Sequence, residues 1–249
     1  MQPLLCGLFL MCCLTRLGAH NEGIIGGHEA RPHSKPYMAF VDLTVGINVN
    51  DSCGGFLVKE NFVITAAHCK GKATVILGAH NIYAKEKTQQ VIKVVDYIRH
   101  ENYTTPLLQN DIMLLKLERK AKLTKQVQII KLPRNNEDIA SGIKCNVAGW
   151  GRVNAASSSI SSTLQEVDMY IMDRKICKEK EFKRVDDTVL CVGNTKNNKT
   201  TFKGDSGSPL VCSGIAQGIV SHGLRGKPVP PRIFTRINKY LDWIKKKMT

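Results

Sequence analysis

Short runs rich in β-branched and apolar residues, each closed by turn-forming residues, recur along most of the chain: YMAFVDLTV, GGFLV, NFVITAA, ATVILGA, QQVIKVV, DIMLLKL, NVAGW, EVDMYIMD, GIAQGIVSHG and RIFTRI. Runs this short fit strands better than helices. Their spacing predicts an all-β architecture, a sandwich or a pair of barrels, and not βαβ units. Only the C-terminal INKYLDWIKKKM reads as clearly helical, with Ile237, Leu241 and Ile244 on one face and lysines in the last turn. The stretch from Glu118 to Asp138 is lysine-rich, contains Pro133, and reads as a connection between two halves. With 249 residues, 43% of them hydrophobic, the chain can bury a substantial core.

The beginning of the chain has another character. Residues 1–19 are apolar from Leu4 to Leu14 and end in Gly-Ala. That run falls short of the roughly 20 residues of a bilayer span, so it reads as a cleaved secretory signal, with no transmembrane anchor expected. Of nine cysteines, Cys6, Cys12 and Cys13 lie in this leader. Cys53, Cys69, Cys145, Cys177, Cys191 and Cys212 remain, an even set that argues for disulfides in an oxidising compartment. Spacing alone leaves their connectivity open. None forms a CxxC pair, so no zinc site, other metal or cofactor is expected.

The formal charge is +15, with clusters at Arg119, Lys120, Lys122 and Lys125, at Lys178, Lys180, Lys183 and Arg184, and at Lys245 to Lys247. Such a surplus favours polyanions, sulfated glycosaminoglycans among them. No stacking-aromatic motif or helix-turn-helix pattern accompanies the charge, so specific nucleic-acid binding is not expected. Sequons stand at Asn50, Asn102 and Asn198.

Three separated segments carry chemistry. TAAHC supplies His68, NDIMLLKL supplies Asp111 at the head of an apolar strand, and GDSGSP supplies Ser206. Each alone has an ordinary structural explanation, but together they stand in the order His, Asp, Ser, one of the known arrangements for a converging catalytic triad. A serine hydroxyl is a poor nucleophile until a neutral imidazole takes its proton and a carboxylate fixes the imidazole's tautomer. The backbone N–H groups of Gly204 and Ser206 would face the developing oxyanion.

At these residues the chain resembles the chymotrypsin-like serine proteases, in particular the granzyme and mast-cell chymase branch. The resemblance runs through IIGGHEARPHSKPYMAF, CGGFLV, TAAHC, NDIMLLKL, VAGWG, GDSGSPLVC and GIVSHG, over essentially all of residues 24–249. It implies two six-stranded antiparallel β-barrels, about 24–125 and about 126–235, with the active site between them and a C-terminal helix over about 236–248. It also implies the pairs Cys53 with Cys69, Cys145 with Cys212, and Cys177 with Cys191. Residues 20–23 would be an activation propeptide, whose removal frees the Ile24 amine to pair with Asp205.

Phe202 stands where many chymotrypsin relatives have a further cysteine, an absence typical of the granzyme branch, and two departures from the family pattern stand out: Ser208 replaces a glycine, and His222 replaces an aromatic residue lining the cleft. The resemblance also places the specificity pocket between Thr200 to Lys203, Ser221 to Gly223, and the segment from Arg232. Thr200, Thr201, Ser221, Gly223 and Arg232 are thus the substrate-binding candidates. An arginine at the position of Arg232 implies cleavage after Asp or Glu, as in granzyme B. The alternatives are chymase-like cleavage after Phe, Tyr, Leu or Met, and a non-catalytic cationic granule protein on the same fold. The expected molecule is a secreted, granule-stored, monomeric endopeptidase acting on protein substrates.

Overall fold

The computed structural model describes residues 24–45, 49–154, 156, 158–180, 185–194, 199–224 and 227–248. The leader, the propeptide, Asn198, Lys183 and Arg184 lie outside these residues.

Thirteen strands and two short helices order the described residues. The first half contributes β1 (His28–Glu29), β2 (Met38–Val45), β3 (Val49–Lys59), β4 (Phe62–Thr65), β5 (Lys72–Leu77), β6 (Gln90–Arg99) and β7 (Met113–Leu117). The second contributes β8 (Lys144–Gly149), β9 (Gln165–Met172), α1 (Arg174–Glu179), β10 (Val189–Gly193), β11 (Pro209–Cys212), β12 (Ile215–Gly223), β13 (Arg232–Arg236) and α2 (Leu241–Lys247).

Both halves close on themselves. β2 to β7 form a closed six-stranded antiparallel barrel in the order β2-β3-β4-β7-β6-β5. β8 to β13 form the second ring, closed by the β8–β9 pairing, with β1 added to its outside on β9. Closure removes the exposed edges that short apolar strands would otherwise present.

Alternation along the strands sets what each barrel buries. In β5 every second residue from Ala73 to Leu77 points inward, beside Phe56, Ile64 and Leu115 of the first core. The second core collects Val147, Val167, Met169, Leu190, Leu210 and Phe234, and the fully buried Ile24 joins it. Disulfides link Cys53 with Cys69, Cys145 with Cys212, and Cys177 with Cys191. The Glu118 to Asp138 stretch forms no strand, yet it is bound to the sheets: Ala121, Val127 and Ile130 enter the first core, Ile130 N–H donates to Leu57 C=O on β3, and Lys131 C=O accepts from Ala216 N–H on β12.

Two details differ from the sequence reading. The C-terminal helix begins as a 3-10 turn over Ile237–Tyr240 and becomes α-helical only at Leu241. The helix α1 carries no amphipathic period long enough to detect. It is instead fixed locally, by the Asp173 side chain accepting from Lys175 N–H at its start and by the buried Cys177.

Candidate active site

The first barrel delivers two of the catalytic candidates. His68 follows β4 in a turn closed by Cys69 N–H donating to Ala66 C=O, and the Cys53–Cys69 disulfide ties that turn to β3. Asp111 lies just before β7, with no exposed surface. His68 Nδ1 is 2.8 Å from Asp111 Oδ2, and His68 N–H donates to Oδ1 at 3.0 Å.

The second barrel clamps the same carboxylate. Ser221 Oγ donates to Asp111 Oδ2 at 2.5 Å, and Thr235 Oγ1 donates to the Asp111 carbonyl at 2.9 Å. Burial alone would raise the Asp111 carboxyl. The hydrogen bonds from His68 and Ser221, with the imidazole's charge, outweigh burial and hold it below the usual carboxylate range.

Ser206 enters from the turn before β11. Its carbonyl accepts from Gly54 N–H at 2.7 Å, which docks the turn onto the first barrel. Gly54 also leaves the space in which the buried Ser208 side chain sits, since a Cβ there would fall 1.9 Å from Ser208 Oγ. Gly204 adopts φ +93°, a conformation open to glycine, and a Cβ on it would meet Gly151 Cα at 2.9 Å. Ser206, Gly204 and His68 line one cleft of about 880 Å³. Phe40, Asp42, Asp51, Lys70 and Lys203 share its walls; of these the sequence singles out Lys203 alone, as the end of a pocket wall.

Asp205 points away from this cleft into the second barrel and is fully buried. It accepts from Gly151 N–H at 2.9 Å and Phe202 N–H at 2.8 Å. Burial nevertheless pushes its carboxyl up to about 6, against the two N–H groups and the more distant Arg232 charge.

Thr200, Thr201, Ser221 and Arg232 are all buried. Arg232 pairs in register with Gly223 and lays its guanidinium on that glycine, where a Cβ would be 2.0 Å from Nη1. Its Nε has no hydrogen-bond partner, and Nη1 reaches Lys227 C=O only at 3.5 Å. Burial lowers its pKa to about 10, partly offset by Asp205. Thr201 Oγ1 is also buried without a partner, whereas Thr200 Oγ1 donates to Thr201 C=O at 3.3 Å. His222 Nδ1 lies 3.0 Å from Ser221 Oγ, the hydroxyl that donates to the Asp111 carboxylate.

Among the described residues no group of His, Cys, Asp or Glu has the geometry to hold a metal ion, and no helix is long and apolar enough to cross a membrane.

The family model described as Trypsin matches residues 24–244. The chain is 48% identical to the chymase of Macaca fascicularis over 98% of this chain and 96% of that protein. It is 48% identical to granzyme B of Homo sapiens over 100% of this chain and 99% of that one. A solved structure described as GrC superposes with a TM-score of 0.86 at 45% identity, covering 90% of this chain and 99% of its own. The matched span contains both barrels and the residues around Ser206, and the chain belongs to the trypsin family as a chymotrypsin-like serine endopeptidase.

Proposed function

We propose that the protein hydrolyses peptide bonds after Asp or Glu through an acyl-enzyme formed on Ser206. His68 takes the Ser206 proton as the hydroxyl attacks the carbonyl carbon, and Asp111 holds the imidazole with Nε2 turned to the nucleophile. The N–H groups of Gly204 and Ser206 receive the oxyanion. His68 then protonates the leaving amine, and water repeats the sequence on the acyl-enzyme.

The observation that carries the acidic preference is the buried Arg232 guanidinium with an unpartnered Nε. A buried unpaired cation is costly, and a carboxylate guest would supply two charge-assisted hydrogen bonds. Thr201 Oγ1 offers one donor more. An aromatic guest would have to displace the guanidinium from Gly223. Profiling with a substrate library should show Asp or Glu before the cut, and Arg232→Ala should remove that preference and admit apolar residues. A wild-type profile favouring Phe or Tyr overturns the reading.

The same reading covers maturation and storage. A cut before Ile24 would place an amine near Asp205, whose raised carboxyl is short of a cation in the uncut chain. The exposed lysines at 122, 125, 178, 180 and 245 suit granule proteoglycan, although Lys120 is tied to Glu60 at 2.9 Å and Lys247 to Glu101 at 2.5 Å. Binding to heparin at low salt that is lost as salt rises tests this part. Flow-through at low salt overturns it.

A further inference from the structure

Asp111 serves two hydroxyl or imidazole donors on one oxygen. His68 Nδ1 and Ser221 Oγ both meet Oδ2, at 2.8 and 2.5 Å. An ionised carboxylate only accepts, so the single Ser221 proton is committed to it. Ser221 Oγ therefore meets His222 Nδ1, 3.0 Å away, as an acceptor. A neutral imidazole has one donor and one acceptor nitrogen, and here Nδ1 must be the donor.

We propose that His222 is a positioning residue for the catalytic base: it donates Nδ1–H to Ser221 Oγ and thereby locks the Ser221 proton onto the Asp111 oxygen that holds His68. The proposal rests on the assignment of His68, Asp111 and Ser206 as the catalytic set. An aromatic hydrocarbon at this place has no N–H donor, so the Ser221 hydroxyl would keep its bond to Oδ2 without that support.

The surroundings keep His222 neutral, so its tautomer does the orienting. Burial is the largest influence and brings the imidazole down to about 4. The charges facing it are Asp111 from the segment before β7, which opposes that shift, and His68 after β4 and Arg232 on β13, which add to it. A chain of hydrogen bonds polarises its members, so the His222 bond strengthens the Ser221 bond to Oδ2. Oδ2 then holds a protonated His68 less tightly than it would alone.

The test compares His222→Phe with His222→Asn, whose amide nitrogen can stand where Nδ1 stands. His222→Phe should lower kcat about fivefold, the size of one neutral hydrogen bond, with KM within about twofold of wild type. The acid limb of its kcat/KM profile should move to higher pH by a few tenths. His222→Asn should restore both. A change in KM alone, a wild-type pH profile in His222→Phe, or an Asn variant that behaves like Phe overturns the proposal. Nitrogen-15 shifts of His222 in the unmutated enzyme decide the case if a variant fails to fold: a protonated Nδ1 and bare Nε2 support it, and the opposite tautomer overturns it. Ser206→Ala run alongside separates the two layers, because activity retained there defeats the catalytic assignment, whereas a silent His222→Phe defeats this inference alone.

Discussion

The two barrels share a topology but bury different things. The first is apolar through nearly its whole interior, and Asp111 stands at its edge, where the second barrel reaches it. The second buries Thr200, Thr201, Asp205, Ser208, Ser221, Arg232 and Thr235. Several of these carry unmet demands: Ser208 Oγ, Thr201 Oγ1 and Arg232 Nε have no partner, and Asp205 is pushed up by burial. Buried polar groups without partners cost stability, so they persist where a ligand or a processing event completes them. The first barrel is thus a rigid mount for two side chains. The second holds the places where substrate and the freed terminus are expected to bind.

This contrast breaks if substitutions in the two barrels have the same effects. The largest expected effect is Ser206→Ala, which should cost about a million-fold in kcat while leaving the melting temperature in place. Loss of folding together with activity would remove the distinction between site and support. Next is Phe56→Ala in the first core, where the side chain has no exposure. It should cost roughly 3–5 kcal/mol of stability in urea unfolding, with kcat unchanged in the folded fraction.

The uncut chain sharpens the comparison through pH. The Asp205 carboxyl is raised to about 6 in the fold, above its ordinary value, so the folded state binds the proton more tightly. Its contribution is fully present below the ordinary carboxylate range and disappears as pH rises through about 6, a change of about 3 kcal/mol. Unfolding of uncut Ser206→Ala protein at pH 4 and pH 7 should show that loss. In protein beginning at Ile24 the neighbouring amine should reverse the sign. Equal pH dependence in both forms would exclude Asp205 as the amine's partner. The smallest effect is Arg232→Met, which removes a buried cation and should raise stability by about 1 kcal/mol while destroying acidic selectivity. A clear loss of stability would show that the guanidinium is satisfied by the protein itself.

Much of the barrel architecture was legible because its strands are short, alternating and separated by turns. The candidates His68, Asp111 and Ser206 could be picked out because each lies in its own short motif, and the structure sets His68 against Asp111 and puts Ser206 in one cleft with His68. The helix at Arg174 was not, since one capped turn leaves no period to read. Nor could the sequence show that Ser221 and His222 extend the Asp111 hydrogen bonds. That contact depends on β12 crossing beside the segment before β7, a tertiary approach between residues 110 positions apart. Arg232 was marked as a pocket residue by resemblance alone, and its lodging on Gly223 follows from the β12–β13 register.

The strand β1 has a consequence for activation. His28 and Glu29 pair with β9 outside the second ring, and Ala30 N–H donates to Leu164 C=O. A terminus created at Ile24 would stay leashed a few residues from its anchor. Residue 24 and Asp205 belong to one chain, so their encounter would be intramolecular in any case; the β1 pairing shortens the free segment to a few residues and would set an effective concentration on the order of millimolar or above whatever the dilution of the enzyme. On the proposed activation, dilution after release would therefore leave the pairing of that terminus with Asp205 unchanged.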